Sequence, residues 1–175
     1  MLVSNGIPTK DDLTKVTPSD ERFSEGPIAV VECFQEIPCD PCVKACKRGA
    51  ISMPRDINDL PKLDEKLCNG CGLCIAMCPG LAIFVVDKTY SKELALVRLP
   101  FEYVPVPEQG NYVTVLSRAG EELGSFEVKK VISGGKMNKT YTISLAVPQE
   151  LAMEVRDIKV HGERSKQIGG CEDGM

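Results

Sequence analysis

Cys68-Asn69-Gly70-Cys71-Gly72-Leu73-Cys74-Ile75-Ala76-Met77-Cys78-Pro79 decides how this chain is read, because it sets four cysteines in the spacing C-x2-C-x2-C-x3-C-P. Three thiols two residues apart on a tight loop can converge on three corners of one iron–sulfur cubane. Gly70 and Gly72 let that loop bend and bring backbone N–H groups toward the sulfurs. The fourth cysteine, further along a helical turn, points away, so a second motif is required. It lies upstream as Cys33-x5-Cys39-x2-Cys42-x3-Cys46. Gly49-Ala50-Ile51 follows Cys46 much as Gly80-Leu81-Ala82-Ile83 follows Cys78, an internal repeat.

Two such motifs resemble the bacterial two-[4Fe–4S] ferredoxin family over roughly residues 28–90. That fold pairs short strands and two small helices about a pseudo-twofold axis. The resemblance implies one cluster on Cys33, Cys39, Cys42 and Cys78, and a second on Cys68, Cys71, Cys74 and Cys46. Two departures bear on it. The upstream motif opens with a five-residue gap, Phe34-Gln35-Glu36-Ile37-Pro38, where the family has two residues, and Lys47 follows Cys46 where the family has proline. If Cys33 is instead a small buried hydrophobe at a strand end, the upstream cluster lacks a corner and is [3Fe–4S]. Pro41 stands where a glycine is usual and removes an N–H donor near a sulfur, so the two clusters are expected to differ in potential.

Zinc is the competing metal, since tetrahedral four-cysteine sites also use C-x2-C pairs. A zinc ribbon would leave Cys33, Cys46, Cys74 and Cys78 without a role, whereas two cubanes employ all eight. Eight of the nine cysteines fall between Cys33 and Cys78. The N-terminus lacks the basic start and apolar stretch of a secretory signal. The longest apolar runs, such as Leu81 to Val86, are far short of the roughly 20 residues that span a bilayer. The expected compartment is the cytoplasm, with no membrane insertion, where free thiols point to metal ligation more than to disulfides.

The expected fold class is α+β: a ferredoxin-like two-cluster domain followed by a small SH3-like β-barrel. Residues 1–27 are polar and turn-rich and read as an extended arm. Residues 28–100 form the cluster domain, opened by a strand at Ile28-Ala29-Val30-Val31 and closed by a hairpin of Leu81–Val86 with Glu93–Arg98. Pro100 marks the boundary to the barrel at 101–161. Its strands are expected at Tyr112–Leu116, Gly124–Val128, Tyr141–Val147 and Val155–Val160, with turns at Gly120 and Gly134-Gly135 and a helical turn after Pro148. Residues 162–175 read as a flexible tail.

Charge narrows the function classes. Residues 1–100 hold 12 basic and 14 acidic side chains and residues 101–175 hold 9 and 11, so each part carries −2. Neither suggests a nucleic-acid footprint. Gly110–Val115 and Gly120–Val128 resemble the small SH3-like or KOW-type barrels of some RNA-binding proteins, but the negative charge favours a scaffold or docking role. His161, the only histidine, reads as a solvated surface residue and Cys171 as a free thiol in an acidic tail. Lys44, Lys47 and Arg48 crowd the upstream motif, either as a solvated face or as a docking patch for an acidic partner.

No glycine-rich nucleotide motif, nucleophile with a base, or placeable carboxylate pair is present, so the chain is not expected to be catalytic alone. A pair of one-electron centres suits a relay. Val31-Glu32-Cys33-Phe34-Gln35-Glu36-Ile37-Pro38-Cys39-Asp40-Pro41-Cys42 also resembles the iron–sulfur subunits that accompany FAD-dependent dehydrogenases of the sarcosine-oxidase or proline-dehydrogenase type. That resemblance implies an FAD-containing oxidoreductase as partner in a hetero-oligomer, with electrons taken from an amine or amino acid. The alternatives are a freestanding soluble ferredoxin and a structural or RNA-binding cluster protein.

Overall fold

Strand β1 (Ile28–Val31) and strand β4 (Ile83–Asp87) are apolar at nearly every position, and the structure, a computed structural model describing residues 5–134 and 138–159, explains why. They pair antiparallel, with Ile28 opposite Val86 and Val31 opposite Ile83. Successive side chains of a strand leave by opposite faces. Ile28, Val30, Phe84 and Val86 enter one core, while Ala29, Val31, Ile83 and Val85 enter another that contains Cys42, Cys74 and Cys78. A wall with cores on both sides needs apolar residues throughout, so no period of two survives in its sequence.

The rest of the chain builds outward from that wall. Helix α3 (Pro41–Ala45), the short pair β2 (Ile51–Ser52) and β3 (Lys62–Leu63), and helix α4 (Leu73–Met77) cover the cysteine side. On the other side β5 (Leu94–Phe101) pairs with β4, giving the expected hairpin. It then pairs along its whole length with β8 (Tyr141–Pro148). Strands β6 (Tyr112–Leu116), β7 (Glu122–Ser133) and β9 (Asp157–Ile158) complete one seven-stranded sheet in the order β1-β4-β5-β8-β7-β6-β9. Residues Gln149–Leu151 make a single 3-10 turn after Pro148.

Pro100, expected at the boundary to the second domain, lies inside β5. The β4 ladder covers only Leu96–Arg98, so one side of β5 is free at Pro100, where a missing N–H costs little. Strand β7 is shared, its first half pairing with β6 and its second with β8, and its register shifts between Val128 and Lys130. Such a bulge bends the strand and brings both halves over one core, where Val97, Leu99, Val113, Val115, Val128, Ile143, Leu145 and Ile158 meet. Among the described residues no ladder joins β9 back to β1.

The N-terminal segment differs from an extended arm. Helices α1 (Lys10–Thr14) and α2 (Asp20–Ser24) form there, each started by a side-chain cap. The Thr9 hydroxyl accepts from the Asp12 N–H while the Asp12 carboxylate accepts from the Thr9 N–H, and the Ser19 hydroxyl accepts from the Arg22 N–H. Helices of five residues are too short to show an apolar period, which is why composition alone suggested an arm. Phe23 is buried in the main core. No helix among the described residues is long and apolar enough to cross a membrane. Gly135, His161, Cys171 and the expected tail lie outside the described residues.

Candidate metal centre

The eight cysteines between Cys33 and Cys78 fall into two groups, each around its own cavity. Cys33, Cys39, Cys42 and Cys78 line a narrow cavity of about 20 Å³, hemmed in by Gln35, Ile37, Met53 and Pro61. Cys46, Cys68, Cys71 and Cys74 line a second, of about 200 Å³. Each group takes three thiols from one motif and the fourth from the other. Among the described residues no three His, Cys, Asp or Glu side chains close to the cluster that a single ion requires. A tetrahedral zinc site, with Zn–S near 2.3 Å, would draw its sulfurs to roughly 3.8 Å apart. Thiols spread around a cavity suit a polynuclear group instead.

The local backbone makes this crossing. Cys42 lies in α3 and Cys74 in α4, while Cys46 and Cys78 cap the C-termini of those helices. Both caps leave the helix in extended conformation, φ −79° and ψ 91° at Cys46, φ −81° and ψ 110° at Cys78, which turns their thiols away from the preceding three. The Cys46 sulfur accepts from the Ala50 N–H at 3.2 Å and the Cys78 sulfur from the Ala82 N–H at 3.4 Å. The repeat therefore extends to its hydrogen bonds. Both copies also need a left-handed residue three positions after the capping cysteine. The first supplies Gly49 at φ +66°, the second Leu81 at φ +52°, a conformation that strains a side-chain-bearing residue by about 1–2 kcal/mol.

Burial pushes the Cys74 thiol up to about 12 and the Cys42 thiol up to about 11, with the neighbouring sulfurs adding to the effect. Cys33 is raised for the same reason, burial first, then the nearby Cys78 and Cys39. Four sulfurs gathered in apolar surroundings can all be thiolates only if positive charge is held among them. The donor set, the crossed caps and the N–H groups aimed at sulfur fit two [4Fe–4S] clusters.

Residues 37–82 match the family model described as a 4Fe-4S dicluster domain. This stretch is similar to 4Fe-4S dicluster domains. The curated relatives include the ferredoxin-type protein NapF of Escherichia coli strain K12, 38% identical over 66 residues, which cover 37% of this chain and 39% of that protein. NapF of Escherichia coli O157:H7 matches to the same extent. The chain thus spans about two fifths of the length of the relatives it matches. No solved structure matches.

Seven of the eight cysteines lie inside the matched dicluster stretch, and Cys33 stands just before it. The Phe34–Pro38 insert, the feature that set Cys33 apart in the sequence, lets the chain return from the end of β1 so that Cys33 lines the same cavity as Cys39, Cys42 and Cys78.

Three groups outside the motifs support the dicluster loops, and two of them left little trace in the sequence. Arg22 of α2 is buried and donates to four carbonyls: Glu65 at 3.0 Å, Gly26 at 3.1 Å, Pro27 at 3.0 Å and Cys68 at 2.7 Å. Asp59, buried beside the first cavity, is held by Arg55. Arg98 of β5 is opposite Val85 and so points to the cysteine side, where it donates to the carbonyls of Gly70 and Cys71. Burial lowers the Arg98 guanidinium, while Asp87 and the nearby cysteines oppose that effect. A lone arginine in the apolar run Leu94–Leu99 was the one readable signal.

Gly70 tests the loop. A Cβ there would lie 2.5 Å from the backbone carbon and oxygen of Pro27, at φ +62°. Gly70→Ala is expected to add about 1–2 kcal/mol of left-handed strain to that collision. Gly72→Ala, at φ +83°, meets mainly the movable end of Arg98 at 3.2 Å and is expected to do less harm. Iron per chain and brown absorbance after anaerobic preparation measure both, and full iron in Gly70→Ala would contradict the geometry. Arg22→Met strands the four carbonyls and is expected to cost about 2–4 kcal/mol in urea unfolding, with faster iron loss to a chelator.

Proposed function

We propose that this chain is an iron–sulfur electron-transfer protein that works as a subunit beside an FAD-containing oxidoreductase of the amine or amino-acid dehydrogenase type. The observation that carries the reading is the division of the eight cysteines into two crossed quartets, each lining its own cavity. When bound, each [4Fe–4S] cluster supplies a one-electron couple within the roughly −700 to +450 mV open to such centres. The chain's own residues hold the ligands in place, exclude water from Cys42 and Cys74, and leave Cys71 exposed to solvent.

The subunit reading is supported by how much of the chain lies outside the cluster motifs. Among the described residues strands β5 to β9 present no nucleophile with a base and no placed carboxylate pair, and an extension of this size suits docking. The Val31–Cys42 stretch supports a flavin-dependent partner. A freestanding carrier is the second reading, favoured by the likeness to proteins named ferredoxin-type.

Anaerobic co-purification of the tagged chain from its own host tests the choice. A flavoprotein in constant ratio, whose amine or amino-acid substrate bleaches the iron–sulfur absorbance, is the expected result. A brown monomer reduced by no such substrate would overturn the subunit reading and leave the carrier.

A further inference from the structure

Beside Cys71 the surface opens into a groove of about 480 Å³ whose lining includes Lys44, Lys47, Leu73, Met77, Arg98 and Ile132. Leu73, Met77 and Ile132 are 47%, 44% and 43% exposed, three large apolar side chains standing in water along one surface. Lys44 and Lys47 are exposed and Arg98 is half-buried at the groove's edge. Among the described residues no Asp or Glu contributes to the lining. Lys44 does approach the Asp40 carboxylate at 3.8 Å, but an exposed pair at that distance cancels little of the field. Apart from the charge of a cluster held at Cys71, the charged side chains lining the patch are thus all positive on a chain whose net charge is −4, and they adjoin the one cysteine exposed among the described residues.

We infer that this groove is the docking site for a redox protein that presents carboxylates around an apolar spot, with the electron exchanged at the Cys71 edge. The inference rests on the electron-transfer reading above. Leu73, Met77 and Ile132 supply the dry centre that a short-lived complex needs, and Lys44, Lys47 and Arg98 supply the rim that steers and orients the partner. A single-stranded nucleic acid would want stacked rings beside the cations, and no aromatic residue among the described ones lines the groove. Because the rim opposes the sign of the whole chain, it selects orientation as well as speed: an acidic partner is repelled elsewhere and attracted here.

The test mixes the reduced, fully loaded protein with two cupric blue-copper proteins, one acidic and one basic, and follows loss of the blue colour by stopped flow. Each event moves one electron from the reduced protein to copper, taking Cu(II) to Cu(I). The acidic protein is expected to react at least about tenfold faster at low salt, with the advantage fading as salt rises. Lys44→Glu/Lys47→Glu is expected to reverse the preference while iron and sulfide per chain stay unchanged, and Lys92→Glu to leave it intact. The ratio of the two rates is the readout, since any change of potential in the variant cancels from it. A faster reaction with the basic protein, no response to the double reversal, or a dimer in sedimentation that covers Leu73 and Met77 would overturn the groove. Oxidation by neither protein would instead sink the electron-transfer reading itself.

Discussion

Cys39→Ala/Cys78→Ala is expected to retain one intact [4Fe–4S] cluster, at about four iron and four sulfide per chain against about eight of each for the unaltered protein. Cys71→Ala/Cys78→Ala is expected to retain no intact [4Fe–4S] cluster, each quartet holding at most a [3Fe–4S] species that electron paramagnetic resonance distinguishes. The outcome runs against sequence distance. Cys71 and Cys78 belong to one motif, yet they line different cavities, whereas Cys39 and Cys78 come from opposite motifs and line the same one. Removing Cys39 and Cys78 therefore strips two corners from a single cluster and spares the quartet of Cys46, Cys68, Cys71 and Cys74. Removing Cys71 and Cys78 takes a corner from each. The cause is the extended backbone at the C-terminal caps of α3 and α4, which sends the fourth thiol across. Iron and sulfide assays with the electron paramagnetic resonance of the reduced protein measure it. Intact clusters in the Cys71/Cys78 variant would show that each motif keeps its own fourth ligand.

The largest effect on stability is expected at Glu32, the residue beside Cys33. Its carboxylate accepts from Arg118 Nε at 2.8 Å and Nη2 at 2.6 Å, and from Arg156 Nε at 2.8 Å. The three side chains are 7%, 10% and 4% exposed. Arg156 also stacks over Phe84 at 4.7 Å. This triad ties the end of β1 to the turn after β6 and to the segment before β9, across 86 and 124 residues of chain. Glu32→Ala leaves two guanidinium groups buried beside a missing partner, a change that costs about 3–5 kcal/mol. The urea midpoint should fall accordingly, and iron should be lost first from the cavity that Cys33 lines.

The same triad sets a pH dependence. Burial by itself raises the Glu32 carboxyl, but the bond from Arg118 and the charge of Arg156 outweigh it, so the group stays below its ordinary 4.5. The unfolded chain then binds the proton more readily than the folded one. The contribution of the triad is complete above about 4.5 and is lost as pH falls through the lower folded value. The stability gap between the unaltered protein and Glu32→Ala should accordingly be constant near neutrality and narrow below about pH 4.5. A gap that instead narrowed on the alkaline side would assign the effect to another group.

Much of the candidate site was legible because its signals are local. Ligand spacing, the glycines of the downstream loop and the repeat after Cys46 and Cys78 all lie within a few residues of the thiols they serve. The hairpin β4–β5 and the strands at Tyr112, Tyr141 and Ile28 were readable from apolar runs and turn residues. What escaped was non-local. Arg22 sits in a helix too short to carry a period, and nothing near it in sequence announces Glu65 or Cys68 as its partners. Glu32, Arg118 and Arg156 are three unremarkable charges until folding buries them together. The continuity of the sheet through Pro100 depended on β8 arriving from 40 residues further along to pair with β5.

The division has a physical basis. Residue type and short spacing by themselves determined that this protein would offer thiols in groups suited to iron–sulfur cubanes, since the bending of a loop and the turning of a helix act over a few residues. Only the tertiary structure decided which thiols share a cavity, which arginines brace the loops, and which sulfur reaches solvent beside a basic groove. Those outcomes depend on strand register and on pairings between distant segments, and a one-residue shift in register would have turned Arg98 away from Cys71.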